Sequence, residues 1–221
     1  IWARPTIVAT HMLESMTHEA VPTRAEVSDV AHAVLDRADA VMLSAETAMG
    51  HDPPRAVEMM NRIAGRAETQ IPWVNPDEVT SPRRMIVEIV GHLVYNAVCL
   101  NSSVEGVITA TRTGFTARWI SKFRPPAHIF AVTRNRRVMR QLRLLWGVHP
   151  VHYDTDLENV DDLILEAVRV VYEAGLVDRE SDIVFTSGTR LIPGRTNLVG
   201  VFHVRDLIRE RKKKPLRRRD G

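Results

Sequence analysis

Three loop clusters carry side chains that could do chemistry. Thr10-His11-Met12-Leu13-Glu14-Ser15 and Ser44-Ala45-Glu46-Thr47-Ala48 each follow a short apolar, strand-like run. Hydroxyls beside a carboxylate at a strand end can orient a substrate or relay a proton. The same residue types cap helices, so spacing alone leaves both readings open. The third cluster is Thr111-Arg112-Thr113-Gly114-Phe115-Thr116-Ala117-Arg118. A strand that ends in a Thr/Gly loop and opens a helix gathers backbone N–H groups, hydroxyls and an arginine, the parts of a phosphate cradle. Ser187 to Asn197 forms a second basic loop containing Arg190, Gly194 and Arg195. Two such loops at one sheet edge could close on an anion, or could be ordinary turns.

Other signals are weaker. His149 and His152 flank a short strand with no third metal ligand nearby in sequence, so no metal is expected there. No P-loop or dinucleotide glycine motif is present. Aromatic residues make up 5% of the chain, too few for a base-stacking platform. Trp119 and Trp146 are expected on helices, as core or interface. Cys99 is the one cysteine, which excludes an intrachain disulfide and fits a reducing cytoplasm. Among Val94, Ala97, Val98 and Leu100 it reads as a small buried hydrophobe.

The elements that must hold these clusters follow from periodicity. Pro5 to Thr10 and Ala38 to Ser44 are buried-strand candidates. A helix is expected around Ser28 to Leu35 with Ser28 as its cap, and another from Pro53 and Pro54 through Glu68. Strand, helix, strand, helix is the grammar of a parallel sheet. Residues 71–82 hold three prolines and read as a connection. A helix near 82–101 follows, with Met85, Ile86, Ile89, Val90, Leu93, Val94, Ala97 and Val98 as one apolar stripe. Strands are expected at 104–111, 127–133, 148–152 and 182–187, with helices near 116–123, 135–146 and 159–174. A last strand from Leu198 to His203 follows a Gly/Pro loop rather than a helix, so its pairing is expected to be antiparallel. No fixed-period repeat is visible.

The chain has 221 residues, 44% apolar and 26% charged, an ordinary globular composition. No apolar run approaches the ~20 residues of a membrane helix, so no membrane partner is expected. The net charge of +3 is unevenly placed: residues 205–221 hold nine Lys/Arg against three Asp/Glu, and the remainder is mildly acidic. Such a tail could attract nucleic acid without specificity, but reads as a solvated, disordered end, and no nucleic-acid partner is expected. The chain does not begin with Met and starts almost directly on a strand, as a piece of a longer protein would.

Ala9 to Met16, Pro22 to Ala31 and Met42 to Gly50 resemble pyruvate kinase, in order and at matching spacing. The loop 111–118, Ile120 to Pro125, Ile129 to Thr133 and Pro193 to Asn197 resemble the C-terminal domain of that family. The resemblance covers about residues 3–206. It implies an α/β fold: residues 1–70 as the C-terminal end of an incomplete (β/α)8 catalytic barrel, 71–82 as connection, and 83–208 as a five-stranded α/β/α sandwich with a mixed sheet. Residues 209–221 are left as the basic tail.

The resemblance also implies a function. The family transfers the phosphoryl group of phosphoenolpyruvate to ADP with Mg²⁺ and K⁺. Thr10 then matches the threonine that touches substrate and assists enolpyruvate protonation. Ser44 and Glu46 match residues on the floor of that site. Thr111, Arg112, Thr113, Gly114, Phe115 and Thr116 match an effector-phosphate cradle, and Arg190, Gly194 and Arg195 the loop that closes over it. Arg24 falls at a barrel–barrel interface of a homotetramer. Three residues depart from the family: His11 stands for a usual Gln, Ala45 for a Gly and Met49 for a Lys. No Trp/Arg pair near 157–169 would grip a second phosphate, so the expectation is a monophosphate effector, such as a sugar monophosphate or AMP, or none. The catalytic lysine, metal-binding Glu/Asp pair and phosphate-gripping arginine of the family lie earlier than Ile1, so this chain alone is expected to be inactive. Two other readings stand beside this one: a non-catalytic regulatory module binding a phosphorylated metabolite or a partner enzyme, and a nucleic-acid binder using the tail.

Overall fold

Pro5 to Thr10 narrows to strand β1 (Ile7–Ala9), and Ala38 to Ser44 to strand β2 (Ala40–Met42). The computed structural model describes residues 3–71, 86–155, 157, 159–188 and 196–213. They fall into two compact units, one within 4–73 and one within 74–221 that also takes in Ala3.

In the first unit β1 and β2 pair in parallel, Val8 opposite Val41. A 3₁₀ turn (Glu14–Thr17) and helix α1 (Arg24–Leu35) connect them. Ser28, the expected cap of α1, lies one turn inside it. The cap is Thr23, whose hydroxyl accepts from the Glu26 N–H while the Glu26 carboxylate accepts from the Thr23 N–H. Thr-x-x-Glu satisfies two orphan donors reciprocally, which Ser28 with Ala31 three residues on cannot do. After β2 come a single turn, α2 (Ala45–Ala48), and α3 (Pro53–Glu68), with both prolines in its first turn and Asp52 as its cap. Met12, Leu13, Met16, Val30, Ala56 and Met60 form the core of this unit. The strands are only half covered: Ile7 is 46% and Met42 44% exposed.

The second unit opens on α4 (Ile86–Leu100) and then runs β3 (Val104–Ala110), α5 (Phe115–Lys122), β4 (His128–Thr133), α6 (Arg136–Leu142) and β5 (Val148–His152). It continues through α7 (Val160–Glu173), β6 (Asp182–Ser187), β7 (Leu198–His203) and α8 (Val204–Lys213). The strand order is β5-β4-β3-β6-β7, parallel except for the antiparallel β6–β7 pair that the Gly/Pro loop predicts. Neighbouring residues feed opposite layers. Ile108, Phe130, Val132, Ile183 and Phe185 face α7 and α8, while Val107, Ile129, Ala131 and Val184 face α4, α5 and α6. That alternation is the period of two of a strand covered on both sides.

Four expectations change. The predicted stripe of α4 splits: Val90, Val94 and Val98 are buried with Val87, but Ile86, Ile89 and Leu93 are exposed. Eight apolar positions wrap further round a helix than one sheet face can cover. Cys99 is exposed rather than buried, on the side of α4 away from Val98. Trp146 lies beyond α6, which stops at Leu142, and its ring takes Arg124 at 5.0 Å. Helix α8 runs to Lys213, through the first five residues of the segment expected to be disordered. It is anchored by buried Val204 and Leu207. The expected connection 72–82, residues 83–85 and the tail from 214 lie outside the described residues.

Candidate functional site

The first unit brings Thr10 and Ser44 to the carboxyl ends of paired parallel strands, both exposed. Thr10 and His11 are consecutive left-handed residues, φ 74° and 53°. Non-glycine residues held there store strain of order 1 kcal/mol each and cluster at functional sites. The chain turns sharply off β1 at the residue expected to meet substrate.

Glu46 behaves differently from its neighbours. It is 2% exposed, and its two oxygens accept main-chain N–H groups from separate loops: Oε1 from Leu13 at 3.0 Å, Oε2 from Ser44 at 2.6 Å. The carboxylate therefore ties the loop after β1 to the loop after β2. Burial pushes its pKa up, but the amides of Glu46, Ser44 and Leu13 outweigh this and hold the carboxyl below its usual value. Glu26 does the same on α1, accepting from the N–H and hydroxyl of both Ser15 and Thr23. Those bonds likewise overcome desolvation and lower its pKa. His11 pairs with Glu14 at the surface, and the Glu14 carboxylate raises the imidazole pKa. Arg24 is exposed at the start of α1.

The second unit has a cavity of about 780 Å³ at the carboxyl ends of its parallel strands. Thr111, Arg112 and Thr113 line it from the loop after β3. The β3 loop is built on Gly114, whose φ of 78° suits glycine and whose N–H donates to the Thr111 hydroxyl at 2.9 Å. Phe115 leans edge-to-face on buried Trp119. Thr116 hydrogen-bonds the Thr196 hydroxyl, which brings the approach to β7 against the β3 loop. Arg190, Gly194 and Arg195 lie outside the described residues. The chain runs from β3 out to β5 on one side and to β6 and β7 on the other, so the loops after β3 and β6 flank the reversal of strand order, where open α/β sheets bind ligands.

Sequence reasoning missed half of this cavity. Thr133, Arg134, Asn135 and Arg136 line it from the loop after β4, with Tyr153, Leu157 and Leu163 behind them. A signal was present: Thr-Arg follows β4 as it follows β3. Which strands neighbour each other was not readable, and that adjacency makes the two loops one site. Elsewhere, His149 meets His128 at 3.1 Å, and burial followed by His128 lowers its pKa. Among the described residues no group of three His, Cys, Asp or Glu could hold a metal.

A βα segment carrying hydroxyls at its strand ends and a mixed α/β sheet with an arginine-lined cavity at the carboxyl ends of β3 and β4 define an α/β protein of two units. Comparison with known families narrows this. The family model "Pyruvate kinase, barrel domain" matches residues 1–57, and "Pyruvate kinase, alpha/beta domain" matches 89–202. Pyruvate kinase of Bacillus licheniformis is 40% identical over 210 residues, covering 93% of this chain and 35% of that protein. Pyruvate kinase 2 of Synechocystis sp. is 41% identical over 205 residues, 92% of this chain and 34% of the relative. Pyruvate kinase of Clostridium acetobutylicum is 39% identical over 203 residues, 90% and 42% respectively. The chain belongs to the pyruvate kinase family. It spans about a third to two-fifths of the length of these relatives.

Proposed function

We propose that these residues are the C-terminal part of a glycolytic pyruvate kinase, transferring phosphoryl from phosphoenolpyruvate to ADP in the cytoplasm. The observation that carries this reading is the pair of family matches, barrel then α/β domain, in the order of the two units. Thr10 and Ser44 at one end of a parallel strand pair support it. In this reading Thr10 meets substrate and its hydroxyl assists protonation of the enolpyruvate carbon. Ser44 borders the floor, and Glu46 holds both loops in place. Both Glu46 oxygens accept main-chain amides, and among the described residues no group of three His, Cys, Asp or Glu surrounds a place where Mg²⁺ could sit.

Phosphoryl transfer rests on positioning and on neutralising charge with metal and cations. The residues expected to do that precede Ile1, so the 221 residues alone do not turn over. The cavity at Thr111–Thr116 binds a phosphorylated effector, a sugar monophosphate or AMP, and Arg24 lies at an interface of a homotetramer. The proposed division is a barrel end to about residue 70, a connection to 82, and an α/β domain from 83 to 208. A stand-alone effector-binding module would need the cavity but not the Thr10 and Ser44 loops. Sequencing the coding DNA upstream of Ile1 separates the two. A frame that continues into a barrel with a lysine, a Glu/Asp pair and a strand-end arginine is expected; a start codon immediately before Ile1 would overturn the kinase reading.

A further inference from the structure

His128 and His149 form a pair for which the proposed function has no use. They are 21 positions apart in sequence, and the parallel pairing of β4 with β5 brings them together. Phe130 lies opposite His149, and His128 stands two residues before Phe130. Side chains two apart on a strand share a face, so all three rings stand on one side of the sheet. The centroids of His128 and His149 are 4.8 Å apart, and Phe130 lies 6.2 Å from the first and 5.9 Å from the second. Phe130 is buried in the core that faces α7, whereas both histidines are exposed. Gly106 on β3 makes room for the Phe130 ring, since a β-carbon there would meet it at 2.5 Å.

His149 Nε2 and His128 Nδ1 face each other at 3.1 Å, and among the described residues this is the one hydrogen bond of either side chain. One of the two nitrogens holds a proton and the other offers a lone pair. A metal ion between them would take both lone pairs, with the proton moved to the far nitrogen of the same ring. Imidazole nitrogens stand about 2.0–2.1 Å from such an ion. At a separation of 3.1 Å the angle at the metal is then about 98°, which suits two adjacent corners of a tetragonal site. Imidazole favours Zn, Ni and Cu over the hard cations Mg²⁺ and Ca²⁺, and Cu(II) stands highest in that order.

We propose that His128 and His149 chelate a divalent transition metal, Cu(II) most tightly, across the outer edge of the second unit's sheet. Water fills the remaining positions, because both rings are exposed and no third His, Cys, Asp or Glu joins them among the described residues. The two ligands sit on paired strands, so little freedom is lost on binding. The ion ties β5, the edge strand, to β4, its one neighbour in the sheet. This site lies near the amino ends of the two strands, away from the cavity at their carboxyl ends, and is independent of what that cavity binds.

The test is titration of the untagged 221-residue chain with Cu(II) alone, followed by pulsed electron paramagnetic resonance. One Cu(II) per chain is expected, with two imidazole nitrogens in the spectrum and a dissociation constant below about 10 μM. His128→Gln and His149→Gln each weaken that binding by about tenfold or more and leave at most one imidazole nitrogen. His152→Gln, on the same strand but bonded to the Arg134 carbonyl, leaves it unchanged. Exposed rings can be replaced without loss of the fold, and melting of each variant without metal checks this. A second measurement needs no variant: saturating Cu(II) slows amide hydrogen exchange in β5 of the unmodified chain, read by mass spectrometry. If both glutamine variants keep a two-imidazole spectrum at the original affinity, the ion sits on other histidines and the proposal is overturned. Binding weaker than about 10 μM, or exchange in β5 that ignores Cu(II), would mark an adventitious surface pair and overturn it equally.

Discussion

Glu46 and Glu26 are carboxylates whose work is to hold loops. Each accepts main-chain amides from a separate segment, and each has a pKa below its ordinary value. A group with a depressed folded pKa adds stability above its unfolded value, and loses it as pH falls through the folded one. Hydrogen exchange at the Leu13 and Ser44 amides, corrected for intrinsic rate, should therefore quicken as pH falls from about 6 to about 3. Glu46→Gln should quicken it already at neutral pH, since an amide NH₂ facing an N–H donor leaves buried groups unmatched at about 1–3 kcal/mol. Unchanged exchange in the variant would mean that Glu46 does not hold these loops. At Gly114 a β-carbon would meet Leu142 at 2.9 Å on a left-handed backbone. Gly114→Ala should lower both the melting temperature and phosphate binding, whereas a turn without a cradle role would lose only the first. Residue types were readable at this scale, but assignments were not. Ser28 and Thr23 are equally good caps by type, and only the Glu three residues after Thr23 separates them. Cys99 sits among apolar neighbours, but the helix turns it to the exposed side.

The elements were the most legible level. Every strand expected between 104 and 203 is present, because β-branched runs bounded by Gly, Pro and Ser leave little choice. Helix α4 shows where pattern stops. Its apolar residues wrap more than one face, and the buried face is the one whose glycine admits Phe123, the residue that caps α5: a β-carbon on Gly91 would lie 2.2 Å from the Phe123 ring. Gly91→Ala should destabilise the second unit by about 1–2 kcal/mol despite the better helix propensity of alanine, read as a lower urea midpoint. Helix α7 carries a second test. Glu166 is 1% exposed and bonded to Arg169 and Thr155. Arg169→Ala leaves that buried carboxylate without its guanidinium and should cost roughly 3 kcal/mol, while replacing both partners by leucine should cost much less. Equal losses in the single and double variants would contradict a buried ion pair.

At the scale of the whole molecule the two units differ in completeness. The sheet of the second unit is covered on both faces by helices. The first has two three-residue strands with Ile7 and Met42 exposed. Parallel strands are normally buried on both sides, so limited proteolysis should cut within 4–71 before 86–188. First cuts inside the second unit would reverse that ranking. Strand adjacency, which joins the Thr111 and Thr133 loops into one cavity, lies beyond any local pattern because it depends on pairing between distant segments. The account as a whole is tested most directly by turnover of phosphoenolpyruvate and ADP, measured on the 221 residues and on the product of the complete reading frame that encodes them. The account predicts no pyruvate above a buffer blank from the 221 residues. It predicts turnover by the complete product, and a fall in kcat of about a hundredfold on Thr10→Ala. Turnover by the 221 residues alone, or a complete product whose rate ignores Thr10, would contradict it.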